Sequence, residues 1–211
     1  MSKILLLVMA AFVVIPSNSN AMAIAYKDSV GIMAVNQSFH NELFTNYTLT
    51  PTVGLGHRYI RYLTTDGQKQ FFIPEADFLI HRWNEAESQA NIYFSAGYGA
   101  QSFMNTTTGV GMVNIDADWE SRKYYLSGGF QSLVGSDSRY YNSGRLRAGL
   151  APYLADFNEL NAWFIVQFET MPFVANSPFL TPMIRLFYKN VLVELGADFQ
   201  GNWLFNYMIH I

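Results

Sequence analysis

The chain has 211 residues, 13 Lys and Arg against 16 Asp and Glu, a net charge of -3 and no cysteine. That length suits one sizeable domain; the missing cysteine excludes disulfides and thiolate metal sites, and the acidic balance gives nucleic acid no basic footprint. Half of the residues are apolar and 14% are charged, yet beyond the N-terminus no segment approaches the ~18 uninterrupted apolar residues that a membrane helix needs.

The first residues read as an export signal. Lys3 supplies the positive n-region, Ile4 to Ile15 is an apolar run too short to span a membrane, and Pro16 breaks it. Ser17-Asn18-Ser19-Asn20 then leads into Ala21-Met22-Ala23, an A-x-A cleavage pattern. Residues 1–23 are expected to be cleaved, leaving 24–211 as one exported domain.

From there the chain alternates with the period of two that marks strands with unlike faces. Strands are expected at 29–37 and 42–50, where "QSFHNELFTNY" alternates poorly and keeps a ten-strand count open beside the favoured twelve. Thr50-Pro51 precedes a strand at 52–63, and Asp66-Gly67 is a hairpin pair. In 69–82, Phe72, Pro74, Ala76, Phe78 and Ile80 share one face, with Glu75 and Asp77 on the other. In 88–101, Ile92, Phe94 and Ala96 oppose Asn91, Tyr93 and Ser95. In 109–120, Val113, Ile115, Ala117 and Trp119 oppose Asn114, Asp116, Asp118 and Glu120. Strands at 122–134, 144–155, 160–171, 180–189, 191–200 and 202–211 complete the set. Turn signals lie between them, and the longest connections are expected at 102–109, 134–144 and 171–180, all at the end opposite the chain termini.

The final stretch, "GNWLFNYMIHI", ends on a face formed by Trp203, Phe205, Tyr207, Ile209 and Ile211. It resembles the C-terminal signal of Gram-negative outer-membrane β-barrels, in which alternating aromatic and aliphatic residues end the chain; Ile211 stands where the usual residue is Phe. The resemblance implies an all-β, closed, antiparallel up-and-down transmembrane barrel. It also implies an outer-membrane location with both termini periplasmic, contact with lipid and lipopolysaccharide, and those five residues as the signal read by the barrel assembly machinery.

In such a barrel the polar face of each strand turns inward. Arg58, Glu75, Asp77, Asp116, Asp118, Glu120, Arg145, Arg147, Glu169 and Arg185 are the expected lumen-lining residues, with His81, Glu194, Asp198 and His210 on the same register. Asp116, Asp118 and Glu120 make an acidic ladder that Arg145 and Arg147 are expected to offset, because buried charges are paired. Most of Tyr124, Tyr140, Tyr141, Tyr153, Trp119, Trp163 and Trp203 fit interfacial girdles or loop anchors.

The residues leave three functions open: a narrow passive channel for small solutes, a filled barrel that displays its loops to a partner, and an outer-membrane hydrolase, acyltransferase or protease. The enzymatic reading has little to stand on. Ser38 lies near His40, but there is no G-x-S-x-G elbow. No catalytic residue, metal site or cofactor is therefore assigned.

Overall fold

The computed structural model describes residues 27–156 and 158–211; the expected signal peptide lies outside them. Twelve strands form one sheet: β1 (Val30–Gln37), β2 (His40–Thr50), β3 (Val53–Thr64), β4 (Gly67–Asn84), β5 (Ser88–Phe103), β6 (Thr106–Ser121), β7 (Tyr124–Gly135), β8 (Tyr140–Leu150), β9 (Asn161–Thr170), β10 (Phe179–Tyr188), β11 (Val191–Ala197) and β12 (Trp203–His210). Each pairs antiparallel with its neighbours in sequence, and β1 closes the sheet on β12. The seam runs from Gly31 opposite His210 to Gln37 opposite Leu204. Beyond it, Val30 and Ile211 exchange two backbone hydrogen bonds of 2.9 Å, so both described termini leave the same end of the barrel. That end is called the near end below.

Twelve strands form because the alternation is complete, even where hydropathy hides it. In β2, Asn41, Leu43, Thr45 and Tyr47 point outward, while Glu42, Phe44, Asn46 and Thr48 are buried. The stretch looks irregular in sequence because the inside of this barrel is partly polar.

The outward rows form an apolar belt. Leu55, Phe72, Ile115, Phe130, Leu146, Phe164, Ile184 and Leu195 are each about half exposed on it. Trp83, Trp119, Tyr124 and Tyr188 ring the near end, and Tyr140 and Trp203 stand at the far end, as interfacial aromatics do. Among the described strands, Arg61 is the one Arg, Lys, Asp or Glu side chain on the outward rows, and it donates to Asn41 near the far end. A belt so apolar is stable only against hydrocarbon.

Two expectations about connections need correction. The segment 102–109 is strand almost throughout: β5 and β6 continue to a tight turn at Met104-Asn105, whose φ values of 46° and 64° match the right-handed twist of the flanking strands. The longest connection is 151–160, at the near end, so long connections do not gather at the far end. Tyr153 and Leu154, expected at the end of a strand, lie in this loop, where the Tyr153 hydroxyl donates to the Leu160 carbonyl at 2.6 Å.

The seam makes a direct prediction. Deleting 203–211, or replacing both Tyr207 and Ile211 by Asp, exposes the edges of β1 and β11 or drives charge into the apolar belt. Neither variant is expected to give the heat-modifiable folded band in membrane fractions. A normal folded band from either would contradict a lipid-facing closing strand.

Candidate functional site

The interior has two unlike halves. Toward the far end it is apolar and packed. Ile60, Tyr62, Phe71, Ile73, Val110, Met112, Leu133 and Tyr141 point in from the strands. The loop 171–178 folds inward onto them. Its Phe173 ring lies edge-on to Tyr62 at 4.9 Å and to Tyr141 at 5.4 Å. Phe39, from the β1–β2 turn, stacks on Phe179 at 4.1 Å. The loop is tied to its surroundings by the Thr65 N–H donating to the Phe173 carbonyl at 3.2 Å and by Gln200 donating to the Asn176 carbonyl at 3.1 Å. Together these groups form a plug.

Toward the near end the interior is polar and open. A cavity of 620 Å³ runs from a rim at Glu85, Glu87 and Arg122 up to the underside of the plug at Tyr62 and Met171. Its walls carry charges of both signs, held by three networks. In the first, Arg58 donates to Glu75 through Nε at 2.9 Å and Nη2 at 2.8 Å, and also bonds Glu42; all three are buried. Behind them Asp77 accepts from Asn46 at 2.5 Å and from Ser95 at 2.6 Å. In the second, Glu194 accepts from Arg147 at 3.2 Å, Arg185 at 2.7 Å and Asn206 at 2.8 Å, so one carboxylate serves two guanidinium groups. Arg185 also lies over the Tyr125 ring at 4.3 Å, a cation–π contact.

The third network is looser. Asp116 on β6, Gly129 on β7 and Arg145 on β8 stand in one row across the sheet. A Cβ at Gly129 would fall 2.1 Å from Asp116 Oδ1, so a side chain there would displace the Asp116 carboxylate from its present position. With no side chain between them, Asp116 and Arg145 meet at 3.7 Å, each with 35% of its side chain exposed to the lumen. Lower on β6, Asp118 accepts from Asn91 at 2.7 Å, while Glu120 has no hydrogen bond or ion pair within 4 Å among the described residues.

Of the residues expected in the lumen, Arg58, Asp116, Asp118, Glu120, Arg145, Arg147, Glu169 and Arg185 line the cavity; Glu75 and Asp77 are buried behind its wall. The expected ladder pairing is replaced in part: Arg147 goes to Glu194, and among the described residues Asp118 and Glu120 are left without a direct cationic partner. His81 is on the outside, because a bulge between Leu79 and His81 shifts β4 by one position; it packs on Trp83 at 4.2 Å. His40 points inward onto Tyr62 and Glu42, and Ser38 Oγ accepts from the Trp203 N–H at 3.3 Å, so the two form no acyl-transfer pair. His57 faces outward beside the Thr45 hydroxyl at 3.0 Å, away from the near-end rim. Trp203, Phe205 and Tyr207 face outward on β12.

The plug escaped sequence reading, because its apolar residues sit on inward rows that are polar lower in the barrel. So did Lys69, fully buried in the plug, whose Nζ sits 3.6 Å from the Phe103 ring centroid. Phe103 reaches it because the two-residue turn at 104–105 lets β5 run on to that position.

No protein-family model and no curated protein matches the chain. Among solved structures it is similar to the KdgM porin in complex with disordered oligogalacturonate, at 13% identity and a TM-score of 0.45, over 86% of this chain and 97% of that one. It is similar to the outer-membrane phospholipase A from Escherichia coli at 12% identity and a TM-score of 0.41, over 93% and 98% of the two chains. OccAB1 of Acinetobacter baumannii gives 6% identity and a TM-score of 0.43, over 82% and 57%. These likenesses are distant, and the functional reading rests on the chain's own geometry.

Arg58 provides a stability test. Replacing it by Ala leaves Glu42 and Glu75 buried without their cation, which is expected to cost about 3–5 kcal/mol. The midpoint of urea unfolding in detergent micelles should fall, and adding Glu75→Gln should restore part of the loss. An unchanged midpoint for Arg58→Ala would mean that the network does not hold the wall.

Proposed function

We propose that this chain is an outer-membrane protein that gives small polar solutes passive passage through a narrow lumen. The signal of residues 1–23 is removed on export, the near end with both termini faces the periplasm, and the far end faces outward. The apolar belt meets outer-membrane lipid and lipopolysaccharide, and the β12 face from Trp203 to Ile211 is what the assembly machinery recognises. The observation that carries the channel reading is the 620 Å³ cavity, with charged walls of both signs and an opening at the near-end rim. A barrel whose only task is to hold its shape gains nothing from keeping such a space, since open lumen forfeits packing contacts.

The route past the plug runs through its loop. Residues 171–178 belong to no strand, so they can leave the lumen without breaking the barrel ladder. Passage then depends on that loop, and the conformation described is the closed one.

The plug also supports a second reading, an envelope protein with a filled barrel that displays its surface to a partner. Single-channel conductance in planar bilayers separates the two. The channel reading expects brief discrete openings from the intact protein and longer or more frequent openings from Phe173→Ala and from deletion of 172–177. Folded, inserted barrels that stay silent in all three forms would leave the filled-barrel reading.

A further inference from the structure

Charges of the lumen are not evenly satisfied, and the unsatisfied ones point to a ligand. Arg147 and Arg185 are committed to Glu194, and Arg58 to Glu42 and Glu75. Arg145 is different: among the described residues its sole ion pair is the 3.7 Å contact to the half-open Asp116. Glu169 stands opposite it in the β8–β9 register, but one of its oxygens is taken by the amides of Gln37, at 3.0 Å, and Gln167, at 3.1 Å. Arg145 therefore lines the cavity, partly exposed, with N–H donors to spare. Asp118 and Glu120 are the complementary case, two carboxylates on the lumen wall with no ion pair among the described residues. The cations facing them are Arg82, which donates to Asn91 at 2.7 Å, and Arg185, held by Glu194.

Their spacing is axial. Arg145 is level with Asp116, and Asp118 and Glu120 lie two and four residues further along β6 toward the open rim. At the strand rise these are separations of about 7 and 13 Å. An extended peptide covers the same distances in roughly two to four residues. Ser127, Gln131 and Ser143 line the wall beside this path and offer hydroxyl and amide groups to a peptide backbone.

We infer that the cavity is a binding site for short zwitterionic peptides, with the free C-terminal carboxylate on Arg145 and the free N-terminal ammonium toward Asp118 and Glu120. The inference names the solute class for the proposed channel and rests on that reading for its place in transport, but not for binding itself. A ligand entering from the rim meets the acidic pair first and delivers its other end to the guanidinium beneath the plug. A solute with one sign of charge satisfies only one end of the path.

Calorimetry on the folded protein in detergent micelles tests the site without requiring conduction. The probes are trialanine, trialanine amide, which lacks the carboxylate, and N-acetyl-trialanine, which lacks the ammonium. Charge-assisted hydrogen bonds of this kind lead us to expect about tenfold weaker binding for each blocked peptide. In Arg145→Gln the difference between acid and amide should vanish while the free N-terminus is still preferred. In Asp118→Asn with Glu120→Gln the opposite should hold. The heat-modified gel shift shows that each variant is folded. No binding of trialanine to the native barrel, equal binding of the three peptides, or discrimination untouched by both variants would each overturn the inference. A silent bilayer with peptide binding intact would overturn the channel and leave the site.

Discussion

Everything else in this molecule follows from a backbone that hydrocarbon cannot hydrate. A strand facing lipid must find all its hydrogen-bond partners in other strands, so the sheet has to close. The β1–β12 seam satisfies that requirement, with seven consecutive register pairs and the Val30–Ile211 exchange at its end. Closure fixes the pleat, and the pleat fixes which residue of each pair of neighbours sees lipid. Charge then has nowhere to go except inward, and only Arg61 departs from that rule among the described strands, near the end of the belt. The electrostatics of the lumen are thus a consequence of the seam.

An interior that receives charge must also neutralise it, since a buried charge without a partner is costly. The wall does so by concentrating its pairs. Arg58 takes two glutamates, and Glu194 takes two arginines, which satisfies six ionised groups in two compact clusters. Compact pairing leaves the lumen open between the clusters; a uniform mesh of ion pairs would have crossed and filled it. It also leaves a remainder, Arg145 half-used and Asp118 and Glu120 without an ion pair among the described residues, with the cavity as the common space onto which they open.

How far this was legible from residues alone depends on which periodicity carried the signal. Where one face is apolar and the other charged, as in Val113 to Glu120, the strand and its inward charges can be read directly. Beyond such stretches the reading fails for identifiable reasons. A bulge adds one residue, and His81 changes sides without any change in the hydropathy of its neighbours. The turn at Met104-Asn105 carries no glycine, so "SFMNTTTG" reads as a loop although positive φ at two ordinary residues lets the strands run on. Pairing between strands that are not neighbours is the least legible: Arg147 on β8 and Glu194 on β11 are 47 positions apart, and the curvature of the barrel wall brings their side chains together. The cavity itself, being the space that side chains do not fill, leaves no trace in alternation.

The plug shows how one inward row changes character along its length. On β3 the inward side chains pass from Arg58 to Ile60 and Tyr62 as the strand climbs; on β4, descending, they pass from Phe71 and Ile73 to Glu75 and Asp77. The boundary between apolar and charged is stepped by one inward pair from strand to strand: Ile60 is opposite Phe71, but Arg58 is opposite Ile73. Above that boundary the strands alone do not fill the bore; Phe173 from the 171–178 loop and Phe39 from a turn complete it. The strands are fixed by the ladder, whereas these two rings are carried by connections that the ladder does not bind. A barrel that is rigid in its wall is therefore adjustable at one place, and that place is the closed end of its cavity.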